Sequence, residues 1–312
     1  MTVASTDRYP TSIEVREVGP RDGLQNESPI TVDERVWLID SLAHAGLSVI
    51  EVGSFVRPDA VPSMAETRQV LARIERVPGV RFRALVPNLL GAQRAIEAGV
   101  DELEVVVSAS VTHNRENLRM TPDESVEKIA DVVELAREQD VAVDAIVATA
   151  FGCPFEGDVQ PSVPTQLAER LRDVGVDTFT FADTTGMAAP PHVTALLDAL
   201  GERGWNADGL GMHFHNTRNT GMANIVVAAQ HGVRRFDSSI GGLGGCPFSP
   251  GATGNVPTED VVHLVHELGA TTGIDLDALI EIGQELEVIL GHELPGQVLR
   301  AGPRTRLAPT SD

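Results

Sequence analysis

Two histidines, His213 and His215, close the apolar run Leu210-Gly211-Met212-His213-Phe214-His215. On a β-strand, positions i and i+2 face the same side, so at a rise of about 3.3 Å per residue their Cα atoms lie roughly 6.5–7 Å apart. That spacing suits two imidazoles converging on one ion. A hydrogen-bonded pair inside a core is the other reading of His-x-His, and only the rest of the chain separates the two. Further polar groups stand in short Gly-rich stretches: Gly19-Pro20-Arg21-Asp22-Gly23-Leu24-Gln25, Asp183-Thr184-Thr185-Gly186, and Gly241-Gly242-Leu243-Gly244-Gly245-Cys246-Pro247 with Gly254-Asn255 beyond it. Taken singly, each is also ordinary turn chemistry.

The elements that must position these groups alternate along the chain. Strand-like runs at 13–18, 48–52, 81–86, 102–108, 141–148, 178–182, 209–215 and 235–239 are separated by helical runs. The helical runs are 31–45, 61–76, 89–98, 122–139, 161–174, 191–201, 222–230 and 258–268. Thr31-Val32-Asp33-Glu34 resembles a capping box, and Pro122 after Thr121 sits where a first helical turn tolerates proline. Eight βα units without a composition break predict a (β/α)8 TIM barrel of the α/β class. Glu51 is read as the end of the second strand, and the segment 111–117 as a loop. The barrel with an additional C-terminal helix at 276–290 is assigned to residues 12–295, between a flexible N-terminus at 1–11 and a polar tail at 296–312. In such a barrel the active-site groups lie beyond the C-terminal ends of the strands, and all the polar stretches above fall there.

Composition narrows the partners. Against 24 basic residues stand 45 acidic ones, giving a formal charge of −21, which argues against nucleic acid or an anionic membrane as partner. Lys128 is the only lysine, so an anionic substrate must be met by local arginines. No apolar run approaches the roughly 20 residues that span a bilayer, and residues 1–10 lack a hydrophobic signal core, so a cytoplasmic protein is expected. Cys153 and Cys246 are the only cysteines and are read as free thiols.

The strings EVGPRDGLQNE, GCPFEG and GLGGCPFSPGATGN, together with the His-x-His strand, resemble the 3-hydroxy-3-methylglutaryl-CoA lyase family of metal-dependent TIM-barrel enzymes. The resemblance covers about residues 12–295. It implies Asp22, His213, His215 and Asn255 as ligands of a divalent cation. One carboxylate, two imidazoles and one amide oxygen favour Mg²⁺ or Mn²⁺ over a closed structural zinc site. It also implies an acyl-CoA thioester as substrate, a homo-oligomer (dimer or tetramer), Arg21 as stabiliser of an enolate oxygen, and Cys246 as the group that protonates the enolate. Glu51 and Asp183 match family carboxylates that orient the site or relay a proton, and Glu17 is a candidate for holding Arg21 in place. Gln25 is a further candidate supporting group.

Departures from the animal lyases put the acyl specificity in doubt rather than the chemistry. After the second histidine those enzymes read Asp-Thr-Tyr-Gly, whereas here the sequence is Asn216-Thr217-Arg218-Asn219. Leu90 and Asp59 stand where lysines are found, and the 111–117 segment differs as well. 3-Hydroxy-3-methylglutaryl-CoA is the expected substrate, with citramalyl-CoA as its competitor. A condensing acyltransferase of the isopropylmalate synthase type is the alternative activity, and a catalytically silent binding module is the alternative class.

Overall fold

The computed structural model describes residues 8–245 and 254–307. Eight parallel strands close a barrel: β1 (Glu14–Glu17), β2 (Val49–Ser54), β3 (Arg81–Leu85), β4 (Glu102–Ser108), β5 (Ala142–Ala148), β8 (Thr178–Asp183), β9 (Leu210–Phe214) and β10 (Arg235–Ser238). Their order around the barrel is β1-β10-β9-β8-β5-β4-β3-β2, and β6 (Gly152–Cys153) and β7 (Gly157–Asp158) form a separate hairpin. This is the expected TIM barrel.

The two-residue period of each strand divides its side chains between shell and lumen. On β4, Leu103, Val105 and Val107 join the core shared with Val126, Ile129 and Val133 of α5 (Pro122–Glu138). Glu104, Val106 and Ser108 alternate with them and stand in register with Asp144, Ile146 and Ala148 of β5. The lumen therefore carries a charged layer below an apolar one. Arg83 on β3 reaches Glu104 at 3.0 Å, Asp144 at 3.3 Å and Asp237 on β10 at 3.3 Å, contacts that only a side chain crossing the lumen can make. Arg16 on β1 adds Asp237 at 2.7 Å and the Thr180 hydroxyl at 2.8 Å. Ions so buried persist only when paired and hydrogen-bonded on most sides, and here each arginine has at least two acidic partners.

Helix α1 (Val32–His44) starts at the capping box anticipated from sequence: Thr31 Oγ1 accepts from the Glu34 N–H, and Glu34 accepts from the Thr31 N–H. Three expectations are corrected. The helix read over 61–76 is only a 3₁₀ turn, Pro62–Met64, followed by α2 (Thr67–Leu71). The segment read as a loop is helix α4 (Val111–Leu118), whose N-cap Ser110 accepts from the His113 N–H at 3.1 Å. The tail after 295 is not wholly polar. Helix α11 (Gln297–Ala301) buries Val298 and Leu299 next to α9 (Thr258–Glu267), and Asp260 accepts both the Gln297 and Val298 N–H groups. At the other end, residues 1–7 lie outside the described part, and the Thr11 carbonyl accepts from the Thr271 N–H, which ties the chain down at that point.

Buried acids beneath the barrel mouth set a pH dependence of stability. Burial pushes Glu259 up to about 8, although its carboxylate accepts the Gly241 N–H, and burial pushes Glu17 up to about 7. Between its ordinary value of 4.5 and about 8, Glu259 keeps a proton in the folded state that the unfolded chain releases, so stability falls as pH rises through that window. Wild-type protein is expected to melt at a lower temperature near about pH 8 than near about pH 5, and Glu259→Gln should flatten this slope. Melting temperatures that rise with pH in the wild type, or an unchanged slope in the variant, would contradict the assignment.

Candidate active site

The site forms where β1 ends in a tight turn. After Val18 the segment Gly19–Gly23 coils so that the Val18 carbonyl accepts from the N–H groups of Arg21, Asp22 and Gly23. This winding gives both neighbouring side chains, Arg21 and Asp22, a place in the wall of a cavity of about 650 Å³ at the C-terminal mouth, a size usual for ligand sites.

Arg21 is buried and held by three carboxylates: Nε donates to Glu51 at 2.6 Å, Nη1 to Asp22 at 2.6 Å and Nη2 to Glu104 at 3.3 Å. Burial opposes its charge, but Glu51, Asp22 and Glu104 more than offset this and hold its pKa above the ordinary arginine value. Glu51 lies in the middle of β2 rather than at its end, since pairing with β3 runs on to Ser54 past an irregularity at Glu51/Gly53. Burial raises its pKa well above the carboxylate range; Arg21 opposes this and the Glu104 charge adds to it. Glu17 does not hold Arg21. Its carboxylate accepts from the N–H groups of Gly19 and Ile240 and from the Thr258 hydroxyl, lacing the β1 turn to the β10 turn.

His213, on β9, and His215, just past its end, meet with their Nε2 atoms 3.1 Å apart. The ligand atoms of Asp22, His213 and His215 all lie within 4.8 Å of one another. Asn255 is brought in by a bridge to His215, and its Nδ2 donates to Asp22 Oδ2 at 2.7 Å. Its Oδ1 is buried with no hydrogen-bond partner among the described residues, as expected of an amide oxygen kept for an ion. Burial and the neighbouring His213 and Arg21 push His215 down to about 4, so it presents a neutral imidazole near pH 7. Burial would raise Asp22, but Arg21 and the two histidines bring it down to about 2, so it is an anion at the same pH. A charged carboxylate, two imidazoles and a free amide oxygen fit a divalent cation.

Asp183 is also buried at the end of its strand. Its Oδ1 accepts the Met187 and Ala188 N–H groups, while Oδ2 has no partner among the described residues. Burial pushes it up to about 6. Gln25 lines the cavity, and its carbonyl accepts from Ser63 at 3.0 Å. Cys153 is buried with Sγ 2.9 Å from Ser110 Oγ, consistent with a structural thiol. Cys246 lies outside the described residues. The glycines before it are conformationally required: Gly241, Gly242 and Gly244 have φ of 66°, 77° and 113°.

Sequence reasoning missed the groups beneath the ligands. Asp237 Oδ2 stands 3.3 Å from His213 Nδ1, a contact that fixes the ring and leaves Nε2 facing His215. Glu104 and Arg83 carry the contacts on from Arg21 to Asp237. The available signal was charge at alternate positions of apolar strands, as in Glu102-Leu103-Glu104 and Arg81-Phe82-Arg83. Asp237→Asn is expected to weaken divalent-cation binding about 10- to 100-fold, as loss of such an outer partner commonly does. Titration with Mn²⁺ checks this, and unchanged affinity would show that Asp237 does not orient His213.

A closed parallel barrel with two histidines, an aspartate and a fixed arginine at its C-terminal mouth is the arrangement of a TIM-barrel enzyme that works with a metal ion. The HMGL-like family model matches residues 12–286. The chain belongs to that family, and it is a carbon–carbon lyase. It is 41% identical over 293 residues to the 3-hydroxy-3-isohexenylglutaryl-CoA/hydroxymethylglutaryl-CoA lyase of Pseudomonas aeruginosa, covering 94% of this chain and 97% of the other. It is 42% identical over 303 residues to the (R)-citramalyl-CoA lyase of Chloroflexus aurantiacus, covering 94% and 95%. An HMG-CoA lyase from Acinetobacter baumannii, solved with coenzyme A and 3-methylmalate, superimposes with a TM-score of 0.92 at 43% identity over all of both chains. No helix among the described residues is long and apolar enough to cross a membrane.

Proposed function

We propose that the chain cleaves 3-hydroxy-3-methylglutaryl-CoA to acetyl-CoA and acetoacetate. The observation that carries this reading is the convergence of Asp22, His213 and His215 beside Arg21 in one cavity. The bond between C2 and C3 breaks; its electron pair passes to C2 as the thioester enolate, the C3 hydroxyl loses its proton to become the ketone, and C2 then takes up a proton. Asp22, His213, His215 and Asn255 would hold Mg²⁺ or Mn²⁺, which when bound lowers the pKa of the substrate hydroxyl and orients it. Arg21 faces the enolate oxygen with a permanent charge, held in position by Glu51 and Glu104. Asp183, titrating at about 6, suits the exchange of the hydroxyl proton near neutral pH. The Cys246 thiol protonates C2.

The relation to a citramalyl-CoA lyase favours that thioester as a second substrate. The enzyme is assigned to the cytoplasm and to a homo-oligomer, dimer or tetramer. A panel of 3-hydroxy-3-methylacyl-CoA thioesters, incubated with Mg²⁺ or Mn²⁺ under reducing conditions with mass detection of both products, tests the reading. No cleavage of any member would overturn it.

A further inference from the structure

Arg83 is wholly buried in the barrel lumen, a space that branched apolar side chains ordinarily fill in this fold. Replacing a buried ion pair by well-packed apolar residues is often neutral or stabilising, so stability is a poor account of a charge in that place. Its acidic partners do not depend on it alone either. Asp237 keeps Arg16 at 2.7 Å, Glu104 keeps Arg21 at 3.3 Å, and Asp144 keeps Arg16 at 3.5 Å with the hydroxyls of Thr178 and Thr180 at 2.7 and 2.9 Å.

What Arg83 alone provides is a connection. Its Nη2 stands 3.0 Å from Glu104 Oε2 and 3.3 Å from Asp237 Oδ1. Each of these carboxylates turns its other oxygen to the site above: Glu104 Oε1 accepts from Arg21, and Asp237 Oδ2 stands 3.3 Å from His213 Nδ1. One nitrogen thus joins the group placed at the enolate oxygen to a group placed at the ion. Among the described residues Arg21 pairs with Asp22, Glu51 and Glu104, and Arg16 with Asp144 and Asp237. Without Arg83 the contacts beneath the ligands therefore fall into two sets, one ending at Arg21 and the other at His213. Glu104 and Asp237 would then repel each other as like charges.

We infer that Arg83 is a positioning residue that fixes Arg21 in register with His213, so that an ion at the histidines and an enolate oxygen at the guanidinium bind in one geometry and reinforce each other. The inference rests on the roles proposed above for Arg21 and for the metal-type ligands. A substrate whose hydroxyl and thioester oxygen must meet both groups at once is sensitive to their separation, since a misplacement of about 1 Å costs about 10²-fold in rate. Arg83→Met, which keeps an apolar stem but not the charge, should therefore lower kcat about 10²-fold while KM changes little.

Equilibrium binding tests the same register without turnover. Carboxymethyl-CoA, a thioether whose carboxylate stands in for the enolate of acetyl-CoA, is titrated into the enzyme with and without Mn²⁺. In the wild type Mn²⁺ should tighten its binding about tenfold or more, and the analogue should tighten Mn²⁺ by the same factor. In Arg83→Met each ligand alone should bind within about threefold of the wild type, whereas the mutual factor should fall about tenfold. If that variant fails to fold, Arg83→Met with Asp144→Asn removes one charge of each sign from the lumen, and the same fall is expected. A mutual factor kept within about threefold in the folded variant, or none in the wild type, overturns the inference. Weaker binding of each ligand alone with that factor unchanged overturns it too, and makes Arg83 a support of the fold only. If no thioester is cleaved the lyase reading falls, yet the mutual factor still tests the register.

Discussion

Replacing Arg21 by glutamine is expected to lower kcat by about 10²–10³ or more, the usual cost of removing a stabiliser of a developing oxyanion, while divalent-cation content stays largely intact. The guanidinium suits that task because it does not have to be organised when charge appears. Glu51, Asp22 and Glu104 already hold it in a buried position at 2.6, 2.6 and 3.3 Å. Glutamine keeps a hydrogen-bond donor but loses the permanent charge and the fork. An interaction made mainly in the transition state lowers kcat more than it changes substrate binding. Single-turnover kinetics with metal analysis on the same sample checks the prediction. If thioester binding collapsed while bound substrate turned over normally, Arg21 would be a binding group alone.

Much of this site was legible in the sequence because its pieces are local. His213 and His215 are read from a two-residue strand period, while Arg21 and Asp22 stand in a short Gly-rich turn and their roles came from the family resemblance. Eight strands were legible for the same reason, since period-2 runs next to helical runs are properties of ten or so consecutive residues. Where the reading erred, the deciding partner was distant or the signal was overlooked. Residues 61–76 contain enough apolar residues for a helix, yet the chain there forms a 3₁₀ turn at Pro62–Met64 and an α-helix only over Thr67–Leu71. The cap at Ser110 was a local signal, and it marks α4 despite that helix's weak apolar pattern. The burial of Val298 and Leu299 depends on Asp260, 38 residues before Val298, receiving the first N–H groups of α11.

The lumen shows the limit more sharply. Arg83 pairs with Asp237 across 154 positions and with Asp144 across 61, so no window of sequence contains both members of either pair. Alternating charge in β3 and β4 marks those strands as unlike an ordinary barrel interior, but it does not name the partners. Glu17 illustrates the converse error. Glu17 was a candidate for holding Arg21, whereas closure of the barrel gives it the N–H of Ile240 and the hydroxyl of Thr258, more than 220 residues away.

Replacing His213 by alanine is expected to lower divalent-cation affinity and turnover together, with kcat falling by roughly 10³, equivalent to about 4 kcal/mol of the several that such an ion contributes. Of the two histidines, His213 is the more deeply supported. Its Nδ1 lies 3.3 Å from Asp237, which is itself bound to Arg16 and 3.3 Å from Arg83, so ring, carboxylate and arginines form one rigid unit under the ligand. Alanine removes a ligand and also leaves this unit without its cap, and His215, 3.1 Å away, loses the partner that fixes its own Nε2. Excess cation should restore occupancy only in part, because Asp22 and Asn255 remain while one nitrogen is missing. Metal content by mass spectrometry, Mn²⁺ binding followed by electron paramagnetic resonance, and turnover across a Mn²⁺ titration measure the three quantities separately. Full cation content with normal turnover in the variant would remove this cluster from the reaction. Full content with lost turnover would instead give His213 a direct part in the chemistry and leave the ion to Asp22, His215 and Asn255.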